Sequence, residues 1–341
     1  MVGSRKNSKK RFLRVFLLVL PVVLFIVSLG IGSYSISPRD LAATFLSALS
    51  PSAYPDIPSA YRDVLLQVRL PRLLLAMAVG AALSVAGASL QAIFKNPLVN
   101  EYILGISSGA AFGAALSLVF LGRAFPPQAA AFLFAILAVL AVLLVAGRGE
   151  SSSLISLLLT GVIVSAFFSA LLSLVEFFAS PYVLQALFFW LMGSLSLAGW
   201  KDLAISLPLV GAGLAVLLLY RWRMNILSMS DEEARALGVN VRRGKILVIF
   251  MATLITASAT AVVGIIGWVG LIVPHLVRLM VGADNRLVIP LSAATGASFL
   301  LVADDITRGI SPLEIPIGIF TSIIGIPLFI VLLKKAKRVW L

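Results

Sequence analysis

RLPRLLLAMAVGAALSVAGASLQAIFKNPL, residues 69–98, decides the architecture. Between Arg72 and Lys95 it carries no charge, and only Ser84, Ser89 and Gln91 are clearly polar. An apolar run of about 18 residues or more reads as a membrane-spanning helix. Basic residues mark both of its ends, and Asn96-Pro97 breaks the helix that it predicts. Similar runs recur along the chain. Of the 341 residues, 60% are hydrophobic and 12% charged, against about 25% charged in a soluble domain. The chain reads as an all-α polytopic membrane protein, a single transmembrane domain over residues 1–341.

Ten spans are predicted, near 12–33, 66–92, 99–121, 126–147, 154–178, 202–220, 246–264, 266–283, 287–305 and 315–333. Starting inside, ten crossings return the C-terminus to the cytoplasm. Residues 1–11 then form a basic cytoplasmic tail, and 221–245 a cytoplasmic loop. Of the 27 Lys and Arg residues, 20 fall inside and seven outside, the bias that membrane insertion imposes. That bias also accounts for the net charge of +13, so nucleic acid is not expected as a partner. The apolar run Phe16 to Ile31 is too long for a secretory signal, and no small-residue cleavage site follows it. Without cysteine, disulfides, Fe–S clusters and thiolate metal sites are excluded.

An internal repeat is visible. Residues 69–116 run basic pair, long apolar helix, Asn96-Pro97 break, glycine-rich helix. Residues 242–297 run basic pair, long apolar helix, Pro274-His275 break, small-residue helix. The first copy begins outside and the second inside, which makes an inverted-topology repeat of the kind transporters use. Gly105, Gly109 and Gly113, spaced by four, share one helix face. Small residues there let helix backbones approach closely, for packing within the chain or along a path between subunits. Gly264, Gly267 and Gly270 fit a tight turn or a closely packed helix start.

Groups able to do chemistry are sparse. His275 is the only histidine, and no acid neighbours it, so no metal site is expected. The acids gather at span ends: Glu150, Glu176, Asp304, Asp305 and Glu314. None is placed mid-span, where coupling carboxylates stand. Asp304 and Asp305 are expected near the outer mouth, either solvated at the interface or paired with Arg308. The segment GVNVRRGK (238–245) is not a P-loop, because five residues separate Gly238 from Gly244 and Ile246 follows Lys245. These features leave a transporter whose energy source lies outside the chain.

The stretch SMSDEEARALGVNVRRGK (228–245) is the exception to the apolar background. Ser230 and Glu233 have the spacing of a capping box, and Asp231, Glu232 and Glu233 complement a positive helix end. Ala234, Arg235, Ala236 and Leu237 continue a helix of about seven residues, and Gly238 suits the left-handed position after it. A helix this short is marginal alone. It must pack on its own protein or on a partner.

From about residue 60 to the C-terminus the chain resembles the FecCD family, the permease subunits of ATP-binding-cassette (ABC) importers for iron-siderophores, haem and vitamin B12. The matching stretches are 69–98, LGISSGAAFG (104–113), FWLMGSL (189–195), DEEARALGV (231–239), GWVGLIVPHLVRLMVGADNR (267–286) and LEIPIGIFTSIIGIPLFIVLL (313–333). They occur in the family's order.

The resemblance implies a multi-pass permease of the cell membrane that forms a homodimer. Two ABC ATPase subunits dock inside and a solute-binding protein outside. The chain itself would catalyse nothing and bind no cofactor, with ATP and Mg used by the partners. Ser230 to Gly238 would then be the ATPase-coupling segment. Arg69, Arg72 and Arg308 match arginines that pair with the binding protein in the vitamin B12 relative. The fifth and tenth spans would line a path on the dimer axis. A gate would lie at Ser153, Leu154 and Ile155, where the vitamin B12 relative has a polar Thr-Ser pair. The cargo would be a metal chelate, a ferric siderophore first, with haem or cobalamin as alternatives. Two rivals remain on the residues alone: an ion-coupled secondary transporter with inverted repeats, and an intramembrane enzyme, which would need a catalytic pair facing water.

Overall fold

A computed structural model describes residues 2–32, 34, 36–49, 58–146, 154–310 and 314–340. Its major elements are helices: α1 (Val2–Gly30), α2 (Pro38–Leu49), α3 (Ser59–Phe94), α4 (Ile106–Leu121), α5 (Pro127–Val145), α6 (Leu154–Phe178) and α7 (Pro181–Leu191). Then come α8 (Trp200–Leu227), α9 (Asp231–Ala236), α10 (Val241–Val263), α11 (Val269–Val281), α12 (Asn285–Ile310) and α13 (Ile317–Trp340). Each of the ten expected spans meets one of these. Seven (α1, α3, α5, α6, α8, α10 and α12) are long and apolar enough to cross a membrane. The apolar parts of α4, α11 and α13 are shorter. Helices α2 and α7 were not anticipated.

The stretch that opened the sequence reading forms the centre of the bundle. α3 packs against α8, α10, α11 and α12, with α1 closing its flank over α12. It is apolar on every side, which in a helix means burial all round. Its small residues set the distances. A Cβ on Gly80 would lie 2.2 Å from Gly296 O, and one on Gly87 would lie 1.9 Å from Gly270 O. Only glycine permits these crossings. A second group packs α4 on α5 and α6, and α5 joins it to α10. Gly109 and Gly113 serve this contact, with a Cβ on them 2.5 Å from Phe134 O and 2.4 Å from Ala130 O. Gly105 is not on their helix. It stands before α4 with φ +81°.

At 13 residues, α11 spans about 20 Å, well short of the ~30 Å hydrocarbon layer. Unwound backbone at 264–268 precedes it. The expected break at Pro274-His275 is therefore corrected: both residues lie inside α11. The break comes earlier and ends at Trp268, which is left-handed (φ +73°). In α3–α4 the matching break is 95–105, from left-handed Lys95 (φ 52°) to Gly105. Proline weakens helix interiors through its missing N–H and its ring, but the bundle holds Pro274 in α11 without ending it.

Candidate functional site

Unwound backbone at membrane depth must find partners within the protein, and here the two breaks supply each other. Tyr102 Oη donates to Ile266 O (3.2 Å) and accepts from Ile266 N (3.3 Å). Gly270 N donates to Glu101 Oε1 at 3.4 Å. Glu101 is fully buried, and its Oε2 has no hydrogen-bond partner among the described residues. The second break is held further by Ser194 N to Val263 O (2.8 Å), and Gly318 N donates to Met192 O (3.1 Å). These contacts join the segment just after α7 to the end of α10 and the start of α13. Glu101 was absent from the acids singled out in the sequence. The available signal was a carboxylate placed between a helix break and a glycine-started helix.

At the end expected to be cytoplasmic, α9 forms as its caps dictate. Ser230 Oγ accepts from Glu233 N (3.2 Å), and Ser230 N donates to Glu233 Oε2 (2.9 Å). Gly238 is left-handed (φ +76°). Gly238 N donates to Arg235 O (2.9 Å) and Val239 N to Ala234 O (3.1 Å), a Schellman closure. The helix covers Asp231–Ala236, with Leu237 as its C-cap.

Its own chain anchors it on one side. Ala234 is buried. Asp231 takes Lys245 Nζ at 2.8 Å and Lys95 Nζ at 3.4 Å. Partial burial alone would raise the Asp231 carboxyl. The hydrogen bond and charge of Lys245, with Lys95 behind it, outweigh that and hold it below the usual carboxylate range. Hydrogen bonds from Ser230 hold Glu233 low in the same way. Glu232, Arg235, Ala236, Leu237 and Gly238 face outward, with Leu237 60% exposed.

The segment before α9 is tied to the α11–α12 turn. Asn225 Nδ2 donates to Asp284 Oδ1 (2.7 Å), and Asn285 N donates to Asn225 Oδ1 (2.8 Å). The Asp284 carboxyl is held down to about 2, first by its hydrogen bond from Arg286 and then by Asn225, against a smaller opposing effect of burial.

At the opposite end, Arg69, Arg72 and Arg308 do lie in one region, but none of them snorkels. All three are at most 5% exposed. Arg69 Nη1 donates to Leu29 O (2.7 Å), and its Nη2 bonds Tyr34 O. Arg72 reaches Asp304 Oδ1 (2.8 Å) and Glu314 Oε2 (2.8 Å). Arg308 pairs with Asp305 and reaches Ile31 O (3.0 Å). Its Nε also lies 3.0 Å from Asp304 Oδ2, off the hydrogen-bond axis. Ser28 Oγ completes the cluster on Asp305 Oδ2 (2.6 Å). Of the two alternatives for the aspartates, the pairing with Arg308 is the one present, and Arg72 joins it. Neither Arg69 nor Arg72 reaches out to the interface, because the chain's own carbonyls and carboxylates hold both guanidiniums inside.

Of the expected gate, Ser153 lies outside the described residues. Leu154 begins α6, and Ile155 is 66% exposed. Ile155, Leu159, Val162 and Phe167 make an exposed apolar stripe along α6, and Ile323, Ile326 and Ile330 another on α13. Both faces lie outside the bundle's own packing.

A model of the FecCD transport family matches residues 18–335. The molybdate import system permease protein MolB of Haemophilus influenzae is 39% identical over 323 residues, covering 94% of this chain and 95% of MolB. The hemin transport system permease protein HmuU of Yersinia pestis is 35% identical over 335 residues, covering 96% and 97%. A solved "metal-chelate type ABC transporter" in an inward-facing conformation superposes with a TM-score of 0.85 at 39% identity, over 95% of this chain and 99% of that one. MolB and HmuU are permeases by name, and the solved transporter shares the helical bundle described above. With the family model matched along nearly its whole length, this multi-pass membrane protein belongs to the FecCD transport family.

Proposed function

We propose that the chain is the permease subunit of an ATP-driven importer for a metal chelate. A second copy pairs with the apolar faces of α6 and α13 to form the path between them, with both termini in the cytoplasm. Two ATPase subunits, which use the ATP and Mg, seat against α9. A solute-binding protein delivers cargo at the opposite end. The observation that carries this reading is α9 itself. It is a six-residue helix capped at both ends and pinned on one face by Lys95 and Lys245, while Glu232, Arg235 and Leu237 stay free on the other. A solvated loop does not need that rigidity; a transmitting contact does.

Membership of the FecCD family does not favour the ion-coupled secondary transporter. Among cargoes, a ferric siderophore is our first reading, with haem or cobalamin as alternatives. MolB is named for molybdate and HmuU for hemin, so the family accommodates quite different cargoes in one bundle. The docking role of Arg69, Arg72 and Arg308 takes a modified form. Glu314, at 27% side-chain exposure, is the open edge of the cluster. A carboxylate of the binding protein would engage Arg72 by displacing it, using the same bidentate geometry.

The test is affinity purification from native membrane. The wild-type chain is compared with a Glu232→Lys, Leu237→Glu double variant, which spares the Asp231 anchor. Retention of an ATPase subunit by the wild type, lost in a correctly inserted variant, supports the reading. If no ATPase follows the wild type under mild detergent and crosslinking, the proposal fails and ion-driven uptake is the next assay.

A further inference from the structure

Helices α5 and α8 both pack on α10, and a cavity of about 350 Å³ lies among the three. This is within the ~300–1,000 Å³ range of small-molecule sites. Its mouth carries Gln128, Lys201 and Asp202, at the starts of α5 and α8. Its walls are Phe132, Ile205 and Leu209, and its floor includes Ser258 and Ala261. From Lys201 to Leu209 the helix descends eight residues, about 12 Å. That depth crosses a headgroup layer of roughly 5–8 Å and enters the hydrocarbon.

Three observations say what the site is shaped to hold. First, Lys201 is exposed and forms no ion pair among the described residues. It is also one of the few basic residues on the side where membrane proteins usually avoid them. Its neighbour Asp202 spends Oδ2 on capping α8 through Gly199 N (3.1 Å), which leaves Oδ1 for a cation. Second, the walls below are apolar. Third, Ser258 is 3% exposed, lines the cavity, and its Oγ has no hydrogen-bond partner among the described residues. It lies five residues, about 7 Å, before the end of α10. A buried hydroxyl without a partner is costly unless a ligand satisfies it.

We propose that this groove binds one glycerophospholipid of the outer leaflet whose headgroup carries both a phosphate and a primary ammonium. The phosphate sits on Lys201 and the positive start of α8. The ammonium donates to Asp202 Oδ1. Ser258 Oγ donates to an ester carbonyl, and one acyl chain lies between Phe132 and Ile205. The site is independent of the α9 contact and of the path between subunits.

The test uses the full chain, purified in detergent and progressively delipidated, with lipid counted by native mass spectrometry. Phosphatidylethanolamine, phosphatidylglycerol and phosphatidylcholine are then added back separately. The expected result is about one phosphatidylethanolamine per chain that outlasts the bulk lipid. Lys201→Glu and Ile205→Trp should each weaken it about tenfold or more, the size of one lost charge-assisted contact, and Lys201→Arg should keep it. Ile205 is 52% exposed, so its replacement fills the groove without disturbing the core. Equal retention of all three lipids, or unchanged retention in both variants, would mean annular lipid only and overturn the proposal. The chain has no cysteine, so Ile205→Cys gives a clean second readout. A disulfide between copies at that position would show a second chain in the groove, and would equally overturn it.

Discussion

Gly80→Ala tests whether the α3–α12 crossing is as close as the structure makes it. The added Cβ would stand 2.2 Å from Gly296 O, where ordinary contact begins at 3.4 Å. The shortfall is about 1.2 Å, and the obstacle is backbone, which cannot rotate aside. Separating the helices by that much removes dispersion contacts along the whole crossing. A radial gap of roughly 0.5–1 Å already forfeits a quarter to a half of each contact's well. Overpacking typically costs about 1–3 kcal/mol, and a backbone-on-backbone clash belongs at or above the upper end. Gly211→Ala in α8 is the control, since nothing lies within 4 Å of its Cβ. There alanine gains up to about 1 kcal/mol of helix propensity. Two identical substitutions in two membrane helices should therefore differ by about 3–4 kcal/mol. Reversible unfolding in mixed micelles, titrated with denaturing detergent, reads that difference. If Gly80→Ala unfolds within about 0.5 kcal/mol of the wild type, the crossing is looser than described and the packing argument is refuted.

Two further outcomes follow from the charged ends of the bundle. Arg72→Ala removes a principal partner of the fully buried Asp304 and should cost about 3–5 kcal/mol in the same unfolding assay. Glu314→Gln, at the open edge of the cluster, should cost under about 1 kcal/mol; equal effects would show that the cluster is not graded by burial. At α9, the folded Asp231 carboxyl titrates below its ordinary value of 3.8. A depressed acid stabilises the fold above its unfolded pKa and loses that contribution as pH falls through the folded value. Amide exchange protection over 231–237 should thus be flat above about pH 4 and decline below it. With Asp231 at 43% side-chain exposure, the effect is under about 1 kcal/mol. A pH-independent profile, or the same decline in Asp231→Asn, would count against the anchor.

What could be read from the sequence followed how local its cause is. Apolar run length marks a membrane helix within one window, and each expected span meets a helix. Ser230, Glu233 and Gly238 announce α9 because caps act over three or four residues. The arginine cluster was half legible. Arg308 and Asp305 stand three apart on one helix, so their pairing could be expected. Arg72 and Asp304 are 232 residues apart, and nothing near Arg72 in the sequence says that it turns inward. The break at 264–268 was misplaced onto Pro274 because proline is the visible helix breaker. The real break depends on Tyr102, in a different part of the chain, offering its hydroxyl to Ile266. Glu101 escaped notice for the same reason, since its partner Gly270 is 169 residues away.

The breaks also indicate where a displacement of α9 can be transmitted. Asp231 holds Lys95, the left-handed residue that ends α3 and opens the first unwound segment. That segment sets Tyr102 against Ile266 in the second and Glu101 against Gly270 in the first turn of α11. The last residue of α10, just before the second segment, and the start of α13 both reach the backbone just after α7, through Ser194 N to Val263 O and Gly318 N to Met192 O. Helix bodies packed glycine to glycine can only slide together, because their backbones are already in contact. Unwound segments joined by single hydrogen bonds can exchange partners. A membrane bundle this tightly closed has its adjustable points where its helices are interrupted. In this chain those points lie between the surface proposed for the ATPase and the helix proposed to line the path.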